Sequence, residues 1–237
     1  MPSDDRSKTR SGRQRRRFLA RRLEILRAAG RQFRSRGFVE TGMRDIAEAA
    51  ELSPANLYNY FQGKHEILFF CHDSSLDRML AALEKARRAK TSAAAKLRTV
   101  IVSHLRCLLD EIEGSAAHLL TNALPPRQQR YLLAKRDRYE LGVRNLIASG
   151  MRNGEFVPGD AALMARAILG ALNWSVQWFR PDGEMTADEI AEKLADYLVR
   201  GLLAEAESFR QAASQRETRR VVRKNAPEDM RNRAMVG

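Results

Sequence analysis

Between residues 41 and 61, small, amide and hydroxyl side chains crowd together: Ser53, Pro54, Ala55, Asn56, Tyr58, Asn59 and Tyr60 stand almost consecutively. An asparagine amide carries the donor and acceptor that pair with adenine in the major groove of DNA. Tyrosine hydroxyls suit phosphate oxygens, which fix register without reading sequence. Thr41, Arg44 and Lys64 flank the run with further donors. Recognition of double-stranded DNA is therefore the chemistry expected here. Other chemistries find no support. His65, His72, His104 and His118 include no pair at i, i+4 spacing, and none sits in a Glu-x-x-His, so no metal site or di-iron bundle is expected. A serine nucleophile elbow, a Gly-rich phosphate loop and a His-Glu-x-x-His motif are likewise missing, so the chain is not expected to be an enzyme or to carry a cofactor.

A DNA-reading segment must be held by helices, and the apolar spacing predicts them nearly throughout: strand-like alternation is absent and a three-to-four spacing prevails. The first helix is expected from about Arg16 to Arg36, with Leu19, Leu23, Leu26 and Phe33 as its stripe and Gly37 as its cap. A short helix carrying Ile46, Ala47 and Ala50 follows, then a break at Glu51-Leu52. Ser53 as N-cap and Pro54 at the first helical position start another short helix that ends near Phe61. Such a pair is a helix-turn-helix, whose second helix can lie in the major groove.

Six further helices are expected over 64–88, 93–112, 115–124, 127–151, 160–179 and from 186 on, the last with Ile190, Leu194, Leu198 and Leu202 in register; the total is nine. The expected fold class is all-α, an N-terminal three-helix helix-turn-helix domain plus a C-terminal helical bundle forming the dimer interface. Small residues at Ala167, Gly170 and Ala171 favour close helix approach in a homodimer. The boundaries read as a flexible basic arm over 1–15, the DNA-binding domain over 16–63, a ligand-binding and dimerisation domain over 64–207, and a basic, disordered tail over 208–237.

The net charge of +13 sits at the two ends. Residues 1–36 hold 13 Lys/Arg against 3 Asp/Glu and residues 208–237 hold 8 against 3, whereas the body between holds 21 against 23. Basic ends beside a near-neutral body suit a polyanion, nucleic acid or an anionic membrane surface; as a solvated tail they would only keep the protein soluble. No segment approaches the roughly 18 uncharged apolar residues of a membrane span. Nor does the N-terminus resemble a signal peptide, so a cytoplasmic protein without membrane association is expected. Cys71 and Cys107 lack CxxC spacing and read as buried free thiols in a reducing compartment.

Residues 23–69 as a whole resemble the N-terminal domain of TetR-family regulators. The resemblance runs through Ile25-Leu26 to Phe33, Gly37-Phe38, Thr41, Asp45-Ile46-Ala47, Leu52-Ser53, Leu57-Tyr58-Asn59-Tyr60-Phe61 and Lys64. Tyr60 stands where many members carry His, and Glu51 occupies a turn position that is often small. The resemblance implies an all-helical homodimer, a repressor of transcription acting on a palindromic operator, whose C-terminal domain binds a small-molecule inducer. An architectural DNA-binding protein without an inducer is the alternative, although it has no use for so long a C-terminal half.

Residues 92–203 are similar to one subgroup of the family, regulators of fatty-acid and steroid breakdown that respond to acyl-CoA thioesters. The shared features are Arg136 to Glu140, the Gly150 to Glu155 turn, Ile168 to Trp174 and Trp178 to Pro181. This resemblance implies an acyl slot lined by Leu105, Leu109, Tyr139 and Val143. Asn173, Gln177, Arg166 and Arg180 become candidates for the thioester and phosphates. Trp174 and Trp178, four apart on one helix face, line an acyl pocket, stack on an adenine ring, or simply fill core or dimer interface.

Overall fold

The computed structural model describes residues 5–109 and 123–204, with side chains from residue 12. Eight helices are present among the described residues: α1 (Asp5–Arg36), α2 (Met43–Ala49), α3 (Pro54–Tyr58), α4 (Lys64–Arg88), α5 (Ala93–Leu109), α6 (Pro126–Arg152), α7 (Ala161–Trp178) and α8 (Ala187–Arg200). The ninth expected helix, over 115–124, falls mostly outside the described residues, as does the tail over 208–237.

Local signals place the boundaries. Gly37 takes the left-handed φ of +85° that ends α1, and its N–H donates to the Phe33 carbonyl. The Ser53 hydroxyl accepts from the Asn56 N–H to start α3. Asp160 accepts from the N–H groups of Ala162 and Leu163 at the start of α7. Thr186 and Glu189 form a reciprocal capping box at α8.

Two features of α1 depart from expectation. The helix begins at Asp5, so most of the stretch read as a flexible arm through residue 15 is helical. Arg, Lys and Gln are good helix formers, and no proline stands between Pro2 and Pro54, so local propensity carries the helix outward without an apolar stripe. Leu19 and Leu23 are also about half exposed, at 49% and 44%. The buried face is instead Ile25, Leu26, Ala28, Ala29 and Phe33, because α2 and α3 are too short to cover the outer turns.

Ile46, Leu57, Phe61, Ile67 and Leu68 are fully buried and join this face in the N-terminal core. The core continues without interruption into the bundle, where α5 packs against α4, α6, α7 and α8. A β-carbon on Gly150 would overlap the Phe156 ring, which shows how closely the turn after α6 folds back. On α8 the buried face is Ile190, Ala191, Ala195 and Val199, while Leu194 and Leu198 stand on its shoulder, half-buried. Leu202, expected in register with them, is buried beyond the end of α8. Paired charges reinforce the α5–α8 seam: Arg98 with Glu192 and Asp196, Arg106 with Asp188 and Glu192.

Candidate DNA interface and ligand cavity

α2 and α3 are joined by a turn in which Glu51 adopts φ 54°, and the Leu52 N–H reaches the Ala47 carbonyl at 2.8 Å. From this turn α3 projects Ser53, Pro54, Ala55, Asn56, Tyr58 and Asn59 to solvent, and Arg44 is exposed on α2. Asn59 donates to the Asn56 amide oxygen at 3.4 Å, so the two amides lie side by side. Tyr60 is half-buried and stacks on Phe18 of α1, ring centroids 5.1 Å apart. Eight of the expected DNA-binding residues thus lie on α2, on α3 or next to α3, seven of them exposed.

Thr41 and Lys64 do not join them. Thr41 is fully buried, and its hydroxyl donates to the carbonyls of Gln32 and Gly37. The Lys64 ammonium donates to the carbonyls of Phe38, Val39 and Thr41 at 2.9, 2.9 and 3.2 Å and sits over the Phe38 ring. An ammonium has three hydrogens, and here all three are committed. Lys64 is therefore a clamp on the turn after α1 rather than a phosphate ligand.

Sequence reasoning missed two arginines. Arg21 donates to the Ala50 carbonyl at 3.0 Å and ties α1 to the end of α2. The Arg22 guanidinium lies 4.4 Å from the Phe61 centroid and 4.0 Å from that of Phe70, with Glu66 3.6 Å away. Burial pushes its pKa down while Glu66 opposes that shift. The Phe18-x-x-x-Arg22 spacing was a weak signal for it, since the two share a face of α1.

A cavity of about 410 Å³ opens in the bundle between four helices. Leu76 and Met79 come from α4, His104 from α5, Arg136, Asp137, Tyr139 and Glu140 from α6, and Arg166, Leu169, Gly170 and Asn173 from α7. His104 is buried between two partners: Nδ1 lies 3.2 Å from the Tyr139 hydroxyl and Nε2 lies 3.3 Å from Asn173 Oδ1. Burial holds the His104 pKa down at about 4, against the opposing effect of the hydrogen bond to Asn173 Oδ1, and pushes that of Tyr139 up. The rim is mixed in charge, and Arg166 lies 3.4 Å from Glu140, which also takes Arg144.

Of the expected ligand-binding residues, Tyr139, Arg166 and Asn173 meet at this cavity. Leu105, Leu109 and Val143 do not line it, being packed into the closed core. Trp174, Gln177, Trp178 and Arg180 are exposed and do not line it: the tryptophans, Trp174 66% exposed, stand round α7 from Asn173, Gln177 lies one turn beyond Asn173, and Arg180 follows the end of the helix. Among the described residues no group of His, Cys, Asp or Glu could hold a metal ion, and no helix is long and apolar enough to cross a membrane.

Comparison with known proteins matches both halves. Residues 25–69 fit the model for bacterial regulatory proteins of the tetR family, and residues 90–202 fit a tetracyclin repressor-like C-terminal domain. The structure of the TetR-family transcriptional regulator PfmR from Thermus thermophilus is 35% identical, with a TM-score of 0.67; the match covers 74% of this chain and 97% of that one. The chain belongs to the TetR family. TetR-family proteins are transcriptional regulators rather than enzymes. The chain is also similar to the HTH-type transcriptional repressor KstR2 of Rhodococcus jostii, 25% identical over 190 residues, covering 77% of this chain and 91% of that protein. In fold the chain also resembles AibR, solved with isovaleryl coenzyme A and operator DNA, at 24% identity and a TM-score of 0.63, covering 78% of this chain and 98% of that one.

Proposed function

We propose that this protein is a ligand-responsive transcriptional repressor that binds a near-palindromic operator as a homodimer and leaves it when an acyl-CoA thioester occupies the cavity. The observation that carries the reading is the position of that cavity on α4. The helix supplies Leu76 and Met79 to the cavity. Nearer its start, Phe70 packs edge-on against Phe61, just beyond α3, and under Arg22. A ligand that wedges α4 from α6 or α7 thereby tilts the DNA-reading helices, and a coupling of only ~1–3 kcal/mol makes a usable switch. Apolar walls with a few placed polar groups, in a volume of this size, suit an acyl chain. AibR's complex with isovaleryl coenzyme A and KstR2's name as a repressor point the same way.

The partner of the homodimer is a second copy on the outer face of α7 and α8, where Leu163, Trp174, Trp178 and Tyr197 are exposed beside small Ala167. Two helix-turn-helix units related by a two-fold axis reach half-sites spaced by roughly 34–36 Å or a multiple. Titration of the operator complex tests the inducer: a CoA thioester releases DNA where the matching free acid does not. Release by the free acid or by an uncharged hydrophobe instead ends the CoA reading and leaves the regulator standing. A monomer at micromolar concentration in sedimentation overturns the dimer.

A further inference from the structure

The polar groups of the cavity are ordered by one buried ring. His104 is neutral at pH 7, so it offers one N–H and one lone pair. Tyr139 keeps its proton, since burial opposes its ionisation, and its hydroxyl can donate to Nδ1. The hydrogen then resides on Nε2 and is donated to the Asn173 carbonyl oxygen. With the opposite tautomer, the Nε2 lone pair would face the lone pairs of that oxygen. The chain of donors therefore runs in one direction, from Tyr139 through His104 to Asn173. Its last member keeps an unused donor: the Asn173 amide nitrogen makes no hydrogen bond among the described residues, although Asn173 lines the cavity.

We propose that this relay is a specificity device, in which His104 is the positioning residue that presents the Asn173 amide N–H₂ as a donor to a carbonyl oxygen of the ligand. Resting on the acyl-CoA reading, the inference assigns that oxygen to the thioester. The cavity then sorts ligands by the carbonyl as well as by the acyl chain, which Leu76, Met79 and Leu169 contact. A ligand offering a donor at that point meets a donor and is rejected.

Calorimetric titration of the full-length protein with octanoyl-CoA and with S-octyl-CoA, the thioether in which CH₂ replaces C=O, tests this. The thioester is expected to bind about ten-fold more tightly, the fold-change of one well-made hydrogen bond. Asn173→Asp keeps the acceptor for His104 but removes the N–H₂, and the thioester-to-thioether ratio should collapse. Asn173 is exposed, so the variant is expected to fold. His104→Phe should lower the same ratio. Equal binding of the two compounds by the wild type, or a ratio that survives Asn173→Asp, overturns the relay and leaves the acyl-CoA reading intact. Failure of both compounds to bind overturns the two together.

Discussion

Asn56 and Lys64 look alike as candidates for DNA contact, yet their surroundings assign them opposite tasks. Asn56 is exposed on α3, and among the described residues its side-chain oxygen accepts only from Asn59. Asn56→Ala should cost about 1–3 kcal/mol on the cognate operator and relax specificity at the base it reads, measured by binding to single-base variants. Lys64→Met should instead destabilise the fold by about 2 kcal/mol, because three carbonyls lose a charged donor. Its log–log salt dependence of DNA binding should match the wild type; a shallower slope would return Lys64 to the phosphates. At Glu51 the backbone carries φ 54°, which costs an L-residue about 1–2 kcal/mol and a glycine almost nothing. Glu51→Gly should therefore raise the melting temperature by about 1–3 °C, after the greater chain entropy of glycine is deducted. Unchanged or lowered stability would mean that the carboxylate does more at this turn than occupy solvent.

At the scale of the element, α1 is two helices in one. From Arg21 onward it is a packed member of the helix-turn-helix domain, held by Arg21 on Ala50 and by Arg22 between two rings, a desolvated cation–π arrangement of about 2 kcal/mol. Before that it is a rod of charge, with Arg13, Arg15, Arg16 and Arg17 exposed. A helical rod presents its cations to DNA at fixed spacing, whereas a coil must first be ordered. Deleting residues 1–14 should lower affinity for specific and random DNA by similar factors and flatten the salt slope by roughly one for each phosphate that the shortened chain leaves unneutralised. If the slope does not move, the charge serves solubility alone.

Across the whole molecule, α4 joins the helix-turn-helix to the cavity, and Lys135 of α6 binds both Asp73 and Asp77 on α4. Partial burial works against the Lys135 charge, but those carboxylates outweigh it and raise its pKa well above the usual lysine value. The buried His104 ties the stability of this assembly to pH. Its folded pKa of about 4 lies below the usual 6.5, so the unfolded chain takes a proton that the folded chain refuses. Stability is full above pH 6.5 and falls by roughly 3 kcal/mol as pH drops from there toward 4, levelling off for this group below that. Asp160 and Glu189, whose pKa values backbone N–H groups hold down, add their own loss in more acidic solution. Denaturant melts at pH 7 and pH 4.5, compared between wild type and His104→Gln, isolate the histidine: the variant should lose much of the difference. An equal difference in both proteins assigns the acid sensitivity elsewhere.

By itself the sequence determined the helical class, the helix-turn-helix and most boundaries of the described helices. Those signals are local: the Ser53 cap reaches three residues, the Thr186–Glu189 box three, the Gly37 turn four. Interactions so short in sequence form in much the same way whatever the rest of the chain does. Only tertiary structure decided which apolar residues close the core and which polar ones are already spent. Leu105, Leu109 and Val143 have the same apolar spacing whether they face a ligand or another helix, and here they face helices. Asn173 and Trp174 are neighbours in the sequence, but a turn of about 100° per residue sends one to the cavity and the other to solvent. Lys64 meets carbonyls 23 to 26 residues back, and His104 meets an amide 69 residues on. Such pairings exist only once the helices have packed, because packing alone removes the water that would otherwise satisfy each group separately.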